Sequence, residues 1–198
     1  MTRPPLEIHI HLSDGQAVRF AVDEPGQAQY VIDKIVPERL FQQPHIQICR
    51  EHALSMYPTS HVVRVDFIMT EDPDWPFVRP LLDCVEVTGN EVIERFKPES
   101  YLCLMREGVQ TEQEIETFAE IRAPHNKGVY VLNRVLLTPA IPVDRTLLLH
   151  QPEGAPVLHV RRRTGGAILF NPMHVIGVTL YPGPKDILSA WPGRYASA

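Results

Sequence analysis

The sequence has little cysteine, and its three cysteines are scattered. They are Cys49, Cys84 and Cys103, and no two of them form a CxxC pair. Neither a disulfide framework nor a cysteine zinc site is therefore indicated. We expect the three thiols to be small buried side chains.

Long apolar runs are also absent. No stretch approaches the roughly 18 apolar residues that span a bilayer, and residues 1–7 lack the apolar centre of a signal peptide. We expect a cytoplasmic protein that does not enter a membrane. The net charge of −5 disfavours sequence-independent binding to nucleic acid or to an anionic membrane, although a local basic patch could still bind either.

Familiar catalytic motifs are missing too. The chain contains no GxSxG elbow, phosphate-binding glycine loop, GxGxxG fingerprint or HExxH pair. Residues distant in sequence can still form a catalytic site, so this absence leaves an enzyme open while favouring a non-catalytic protein. No cofactor is expected.

What the chain does contain is a segment that recurs. Residues 57–67 align with residues 170–180, and three of the paired positions are identical: His61 with His174, Val62 with Val175, and Val65 with Val178. On an ideal strand, alternate residues share a face. The paired positions on the apolar face are Val63 and Ile176, Val65 and Val178, and Phe67 and Leu180, whereas Arg64 and Asp66 are predicted to be exposed and diverge to Gly177 and Thr179. This pattern predicts an internal duplication that preserves a fold and not a site.

A β-hairpin is predicted at the start of the chain. Apolar residues alternate over 6–12 and again over 18–22, around Ser-Asp-Gly. Both apolar sets share a face only if the loop has three residues with Gly15 in the left-handed conformation. This register places His9 opposite Arg19.

The remaining elements divide the chain into two predicted lobes. The first, residues 1–76, has the hairpin, a short helix between Pro25 and Pro37, and strands at 45–49, 53–57 and 62–69, and a proline-rich stretch at 70–81 is predicted to be a linker. The second, residues 77–198, has a turn at Gly89-Asn90, a helix inserted near 111–122 and a proline-rich C-terminal tail. Its predicted strands are 129–137, 145–150, 157–163, 167–170 and 175–181. The inserted helix is predicted from a capping box of Thr111 with Glu114.

The predicted fold class is α+β and mostly β. Each lobe is expected to be a curled antiparallel sheet, or a partly open barrel, with one short helix. In shape the second lobe resembles Sm-like and SH3-like barrels through its arginine-rich strand, the Gly165-Gly166 turn and the apolar residues 168–170. It keeps only part of the Ile-Arg-Gly of the Sm signature, so RNA binding is not carried over.

The histidines are the first candidate site. His9 and His11 lie on one strand face and are weak candidates for metal ligands, because zinc needs three or four ligands and only Glu7 shares that face. A polar, solvated face is the favoured interpretation. His61 and His174 head the two matched strands, where each is either structural or part of a site.

The second candidate is a basic cluster. Arg161, Arg162 and Arg163 precede a Thr-Gly-Gly turn, and arginines beside glycine amides can hold a phosphate or a carboxylate. The competing interpretation is a solvated hairpin tip.

The favoured function is a non-catalytic binding or regulatory module with a protein partner or a second copy of the chain, because an incompletely closed sheet leaves edge strands open to pairing. The alternatives are a small metal-dependent hydrolase that uses histidines, or a protein that binds anions or nucleic acid through Arg161 to Arg163.

Overall fold

In a computed structural model of the chain, the described residues are 4–50, 52–77, 79–99, 101, 104, 108–140 and 156–183. They are mainly β, and none of their helices is long and apolar enough to cross a membrane. The strands are β1 (Leu6–Leu12), β2 (Ala17–Val22), β3 (His45–Arg50), β4 (Ala53–Pro58), β5 (Val62–Ile68), β6 (Leu81–Val87), β7 (Gln113–Arg122), β8 (Val129–Leu137), β9 (Leu158–Arg161), β10 (Gly166–Phe170) and β11 (Gly177–Tyr181). The α-helices are α1 (Pro25–Lys34), α2 (Pro37–Leu40) and α3 (Gly89–Arg95).

Nine of these strands form one mixed sheet in the order β11-β7-β8-β6-β9-β10-β5-β1-β2, while β3 and β4 form a separate hairpin. The single parallel contact joins β6 to β9 through Val85 and Arg161. The pairing of β5 with β10 joins the two halves of the chain in one sheet. The end strands β2 and β11 do not pair, so the sheet is not a closed barrel.

The sheet curls, so that a loop near one end contacts a turn near the other. The β7–β8 loop reaches the β1–β2 turn, where His125 Nε2 lies 3.0 Å from the Ser13 carbonyl oxygen. The same loop reaches β5, where the Lys127 carbonyl oxygen accepts a hydrogen bond from Arg64. The curl therefore encloses one face of the sheet.

Two cores lie on opposite faces. The first core joins β1, β5 and β10 to α1, β3 and Trp75, and includes Leu6, Ile8, Ile10, Ile32, Ile46, Val65, Phe67, Ala167 and Leu169. The second core lies inside the curl and includes Val63, Cys84, Ala119, Ile121, Val131, Val160, Ile168 and Phe170. In this part of the sheet β10 contributes alternate residues to the two cores, Ala167 and Leu169 to the first and Ile168 and Phe170 to the second.

The predicted N-terminal hairpin is confirmed. Ile10 pairs with Val18 and His9 with Arg19, as the three-residue loop requires. Gly15 has a φ of 90°, the left-handed conformation that glycine adopts without strain. The strands predicted within 45–69 are also present as β3, β4 and β5, and the one at 129–137 as β8.

The prediction of an inserted helix near 111–122 is wrong, because Gln113–Arg122 is the strand β7. Ile115, Phe118 and Ala119 have helical spacing, but Ala119 and Ile121 enter the second core while Phe118 packs against Phe96 on the other face. The structure has a capping box at Thr88 with Glu91 instead. It begins the helix α3, where the sequence predicted a turn at residues 89–90.

The duplicated lobes and the Sm-like or SH3-like shape are not confirmed. Both matched segments do contain a short 3₁₀ turn before the strand, Thr59–His61 and Pro172–His174. Their apolar faces differ, however. The β1–β5 register shifts between His11 and Leu12, so that Val63 packs in the second core while Val65 and Phe67 pack in the first. Ile176 is 68% exposed and precedes β11.

The domain boundary at residue 76 stays a prediction. Trp75, in the predicted linker, packs in the first core, and the Asp72 carboxylate accepts a hydrogen bond from the Gly166 amide at 3.0 Å. The predicted strand at 145–150 and all but the start of the proline-rich C-terminal tail lie outside the described residues.

Candidate functional site

Polar side chains of β1 and β5 lie on the face that the curl encloses. On β1, Leu6, Ile8 and Ile10 fill the first core, so His9 and His11 point to the opposite face. Asp66 pairs with His9 across the two strands, and Arg64 pairs with His11. Neighbouring positions of paired strands lie within contact distance on one face, so the sheet itself brings these four side chains together.

The carboxylate of Asp66 is the centre of this group. Its Oδ2 lies 3.0 Å from His11 Nε2 and accepts a hydrogen bond from Arg64 Nη2 at 2.9 Å. Arg64 also donates from Nη1 to the carbonyl oxygen of Lys127 at 2.6 Å and lies over the Phe170 ring. Asp66 is only 4% exposed, so its charge is buried among these partners.

A second guanidinium, that of Arg162, acts on the same carboxylate through its charge. Arg162 directly follows β9, where its backbone amide donates to the Gly166 carbonyl at 2.9 Å. Burial alone would raise the pKa of Asp66, but the hydrogen bond from His11 and the charges of Arg64 and Arg162 outweigh it and lower the pKa. We call His11, Arg64, Asp66 and Arg162 the polar cluster.

The polar cluster has more hydrogen-bonding capacity than the described residues use. Five of its buried atoms make no hydrogen bond there: Nδ1 of His11, Nε of Arg64, Oδ1 of Asp66, and Nε and Nη1 of Arg162. Leaving such groups unpaired costs about 1–3 kcal/mol each, and more when they are charged. A site with this many open bonds is suited to hold a polar molecule.

His9 belongs to a separate pair beside the polar cluster. Its Nε2 lies 3.0 Å from Glu7 Oε2, with the histidine side chain 14% exposed. The two candidate metal ligands therefore face different carboxylates, His9 facing Glu7 and His11 facing Asp66. In the part of the chain that the structure describes, no three His, Cys, Asp or Glu side chains are grouped to hold a metal ion.

The three consecutive arginines do not converge. Arg161 lies over the Phe77 ring with its Nε 3.4 Å from Asp83, and Arg163 donates to Glu91 at 2.8 Å. Only Arg162 joins the polar cluster, because side chains alternate between the two faces along β9 and its continuation. Anion binding by all three stays a prediction, and the structure brings one of them to a buried site.

His61 and His174 end the two 3₁₀ turns and lie near one another. His174 Nε2 is 2.8 Å from the carbonyl oxygen of Ser60, and His61 Nδ1 is 3.4 Å from the Ser13 hydroxyl. These contacts tie the turns to the neighbouring chain. Neither histidine belongs to the polar cluster.

Sequence reasoning missed the centre of the site. Arg64 and Asp66 are predicted to be exposed, yet the Arg64 side chain is 13% exposed and that of Asp66 6%. The available signal was an opposite-charge pair two residues apart on a strand whose other face is apolar. Its significance depended on β1 and on the β7–β8 loop, which are remote in sequence.

A second buried histidine also escaped prediction. His159 stacks on Phe77, with ring centroids 4.5 Å apart and planes 8° apart, and meets Trp75 edge-on. Burial, assisted by the charge of Arg161, lowers its pKa from the ordinary 6.5 to about 4. His159 is therefore neutral near pH 7 and acts as a third aromatic ring between the segment 75–77 and β9.

No protein-family model matches the chain, and neither the curated proteins nor the solved structures include a significant match to it.

Replacing His159 with Phe should reduce the acid sensitivity of the fold. The unfolded chain binds a proton at this position below about pH 6.5 and the folded protein only below about pH 4. Folding stability is therefore lost as the pH falls through this window, by up to about 3 kcal/mol. In His159→Phe, which keeps the ring stack, urea unfolding from pH 7 to pH 4 should show a smaller loss. Equal losses in the two proteins would contradict this assignment.

Replacing Asp66 with Asn should strongly destabilise the protein, because two guanidiniums would lose their buried counter-charge without a change in side-chain size. We expect a loss of about 3–5 kcal/mol in the free energy of unfolding by urea. The matched control is Glu114→Gln, which breaks an exposed ion pair with Arg134 and should leave unfolding unchanged within the error of the fit. Equal stability of the two variants would contradict a central role for Asp66.

Proposed function

We propose that this protein is a non-catalytic binding module that holds a small anion at the polar cluster. One observation carries the proposal: the Arg64 guanidinium pairs with a buried carboxylate that the charge of Arg162 also stabilises, and three nitrogen atoms of these two arginines have no hydrogen-bond partner in the described residues. The formal charge of Arg64, Arg162 and Asp66 together is +1. An anion would compensate that charge and accept the open hydrogen bonds.

The state of the neighbouring groups favours binding over chemistry. The Asp66 Oδ2 already lies within hydrogen-bond distance of His11 and Arg64, so it is held in place as a counter-ion. Cys84, in the second core, is buried, and burial raises its pKa well above the ordinary value. A thiol in that state is a poor nucleophile. The functional groups inside the curl are thus suited to hold a charge in place.

Inorganic phosphate is the probe for this proposal, and Arg162→Gln is the test variant. Wild-type protein should show saturable binding by isothermal titration calorimetry, with a Kd of about 1 mM or tighter, and Arg162→Gln should lose it. Arg163→Gln is the matched control, since the Arg163 side chain is 55% exposed and pairs with Glu91. It should bind as the wild type does.

Heat of binding is preferable to thermal stabilisation alone, because phosphate stabilises many proteins by exclusion from their surface. Absence of saturable binding by the wild type, or equal binding by Arg162→Gln, would refute the proposed site.

Self-association is a second candidate property, favoured by the outer face of the β3–β4 hairpin. Leu54 and Met56 are 58% and 53% exposed there and pair across the hairpin with Cys49 and Gln47. None of these four side chains is charged. In a chain of net charge −5, an uncharged apolar face can meet its own copy about a two-fold axis without like-charge repulsion.

We expect sedimentation velocity to show a concentration-dependent dimer for the wild type and a monomer for Leu54→Glu, which would place two like charges at the contact. Ile93→Glu is the control, because Ile93 is an exposed apolar residue on α3, away from the hairpin. It should dimerise normally. A wild type that stays monomeric at all accessible concentrations would exclude self-association through this face.

A further inference from the structure

We propose that the anion held by the polar cluster carries its own O–H donor, so that the site takes a protonated oxyanion of the phosphate type and rejects sulfate. This inference rests on the proposed function and adds the class of ligand. It follows from the mixed character of the open hydrogen bonds, which include a buried carboxylate oxygen as well as N–H donors.

The open acceptor is Oδ1 of Asp66. The other oxygen of this carboxylate, Oδ2, lies within hydrogen-bond distance of His11 and Arg64, whereas Oδ1 is buried and has no partner in the described residues. An ionised carboxylate can only accept hydrogen bonds. A ligand oxygen without a hydrogen would therefore meet an unpaired negative oxygen here.

The donors complete the description of the ligand. The Nε of Arg64, and the Nε and Nη1 of Arg162, need acceptor oxygens with negative charge. A ligand that fits all of these atoms presents several anionic oxygens and at least one O–H. Inorganic phosphate keeps an O–H at neutral pH, whereas sulfate has the same tetrahedral shape and none.

Free phosphate and esterified phosphate also differ in whether they keep an O–H. A phosphate monoester loses its remaining O–H above its second pKa of roughly 6, whereas the hydrogenphosphate ion retains one. At about pH 7.5 the free ion can therefore donate a hydrogen bond to Oδ1 of Asp66, and an esterified phosphate cannot. We assign the site to the free ion under these conditions.

Isothermal titration calorimetry at about pH 7.5 and constant ionic strength tests this assignment with phosphate, sulfate and methyl phosphate as probes. Sites that hydrogen-bond a ligand hydroxyl reject analogues without it, because the buried acceptors stay unpaired. We expect phosphate to bind at least about tenfold more tightly than either of the others. The same titrations are repeated with Arg162→Gln, which should bind none of the three probes. This loss would assign the measured heat of binding to the polar cluster.

The outcomes separate the two proposals. Sulfate or methyl phosphate binding as tightly as phosphate, with the dependence on Arg162 retained, would overturn the O–H requirement and leave the anion site standing. No binding by any of the three probes, or binding that Arg162→Gln does not change, would overturn both.

Discussion

The pairing of β5 with β10 is the constraint on which the rest of the structure depends. It joins strands about a hundred residues apart and makes one sheet from the two halves of the chain. Along β10, alternate residues then enter the two cores. Because β10 also pairs with β9, it connects the strand that precedes Arg162 to the strand that carries Asp66. The enclosed face, the second core and the polar cluster all follow from this one long-range contact.

The polar cluster costs free energy of folding, because it buries charged groups. Burying a charge is costly unless it is paired and hydrogen-bonded, and a buried pair is often no more stable than an apolar group of the same volume. Here the charge of Arg162 adds to that of Arg64 around a carboxylate that is already satisfied on one oxygen. Stability alone gives no reason for this arrangement, whereas the proposed binding of an anion would give one.

Local patterns in the sequence predicted local structure well. Alternation and a glycine in the loop were enough for the β1–β2 hairpin and its register, since a hairpin closes over a few residues. They failed at β7, where helical spacing of three apolar residues concealed a strand whose second face is covered by Phe96. They failed again at Val63, because the register shift between β1 and β5 moves that side chain to the other core.

The polar cluster could be predicted only in part. His11 was a candidate for its position beside His9, and Arg162 for its place among three arginines, but neither pattern indicates that the two side chains share a carboxylate. Asp66 was taken to be exposed, because alternation tells which residues share a face and not what covers that face. The cover comes from the β7–β8 loop, through the Lys127 carbonyl, and no spacing within β5 reports it.

The composition of the first core has a consequence for how the chain is made. Ala167 and Leu169 are completely buried in it, although nearly all its other members come from residues 6–75. During synthesis, the N-terminal strands leave the ribosome long before these two side chains exist. The first core is then open along the edge of β5, and an unpaired apolar edge is prone to wrong association. The first core is therefore completed only after β10 has been synthesised and has paired with β5.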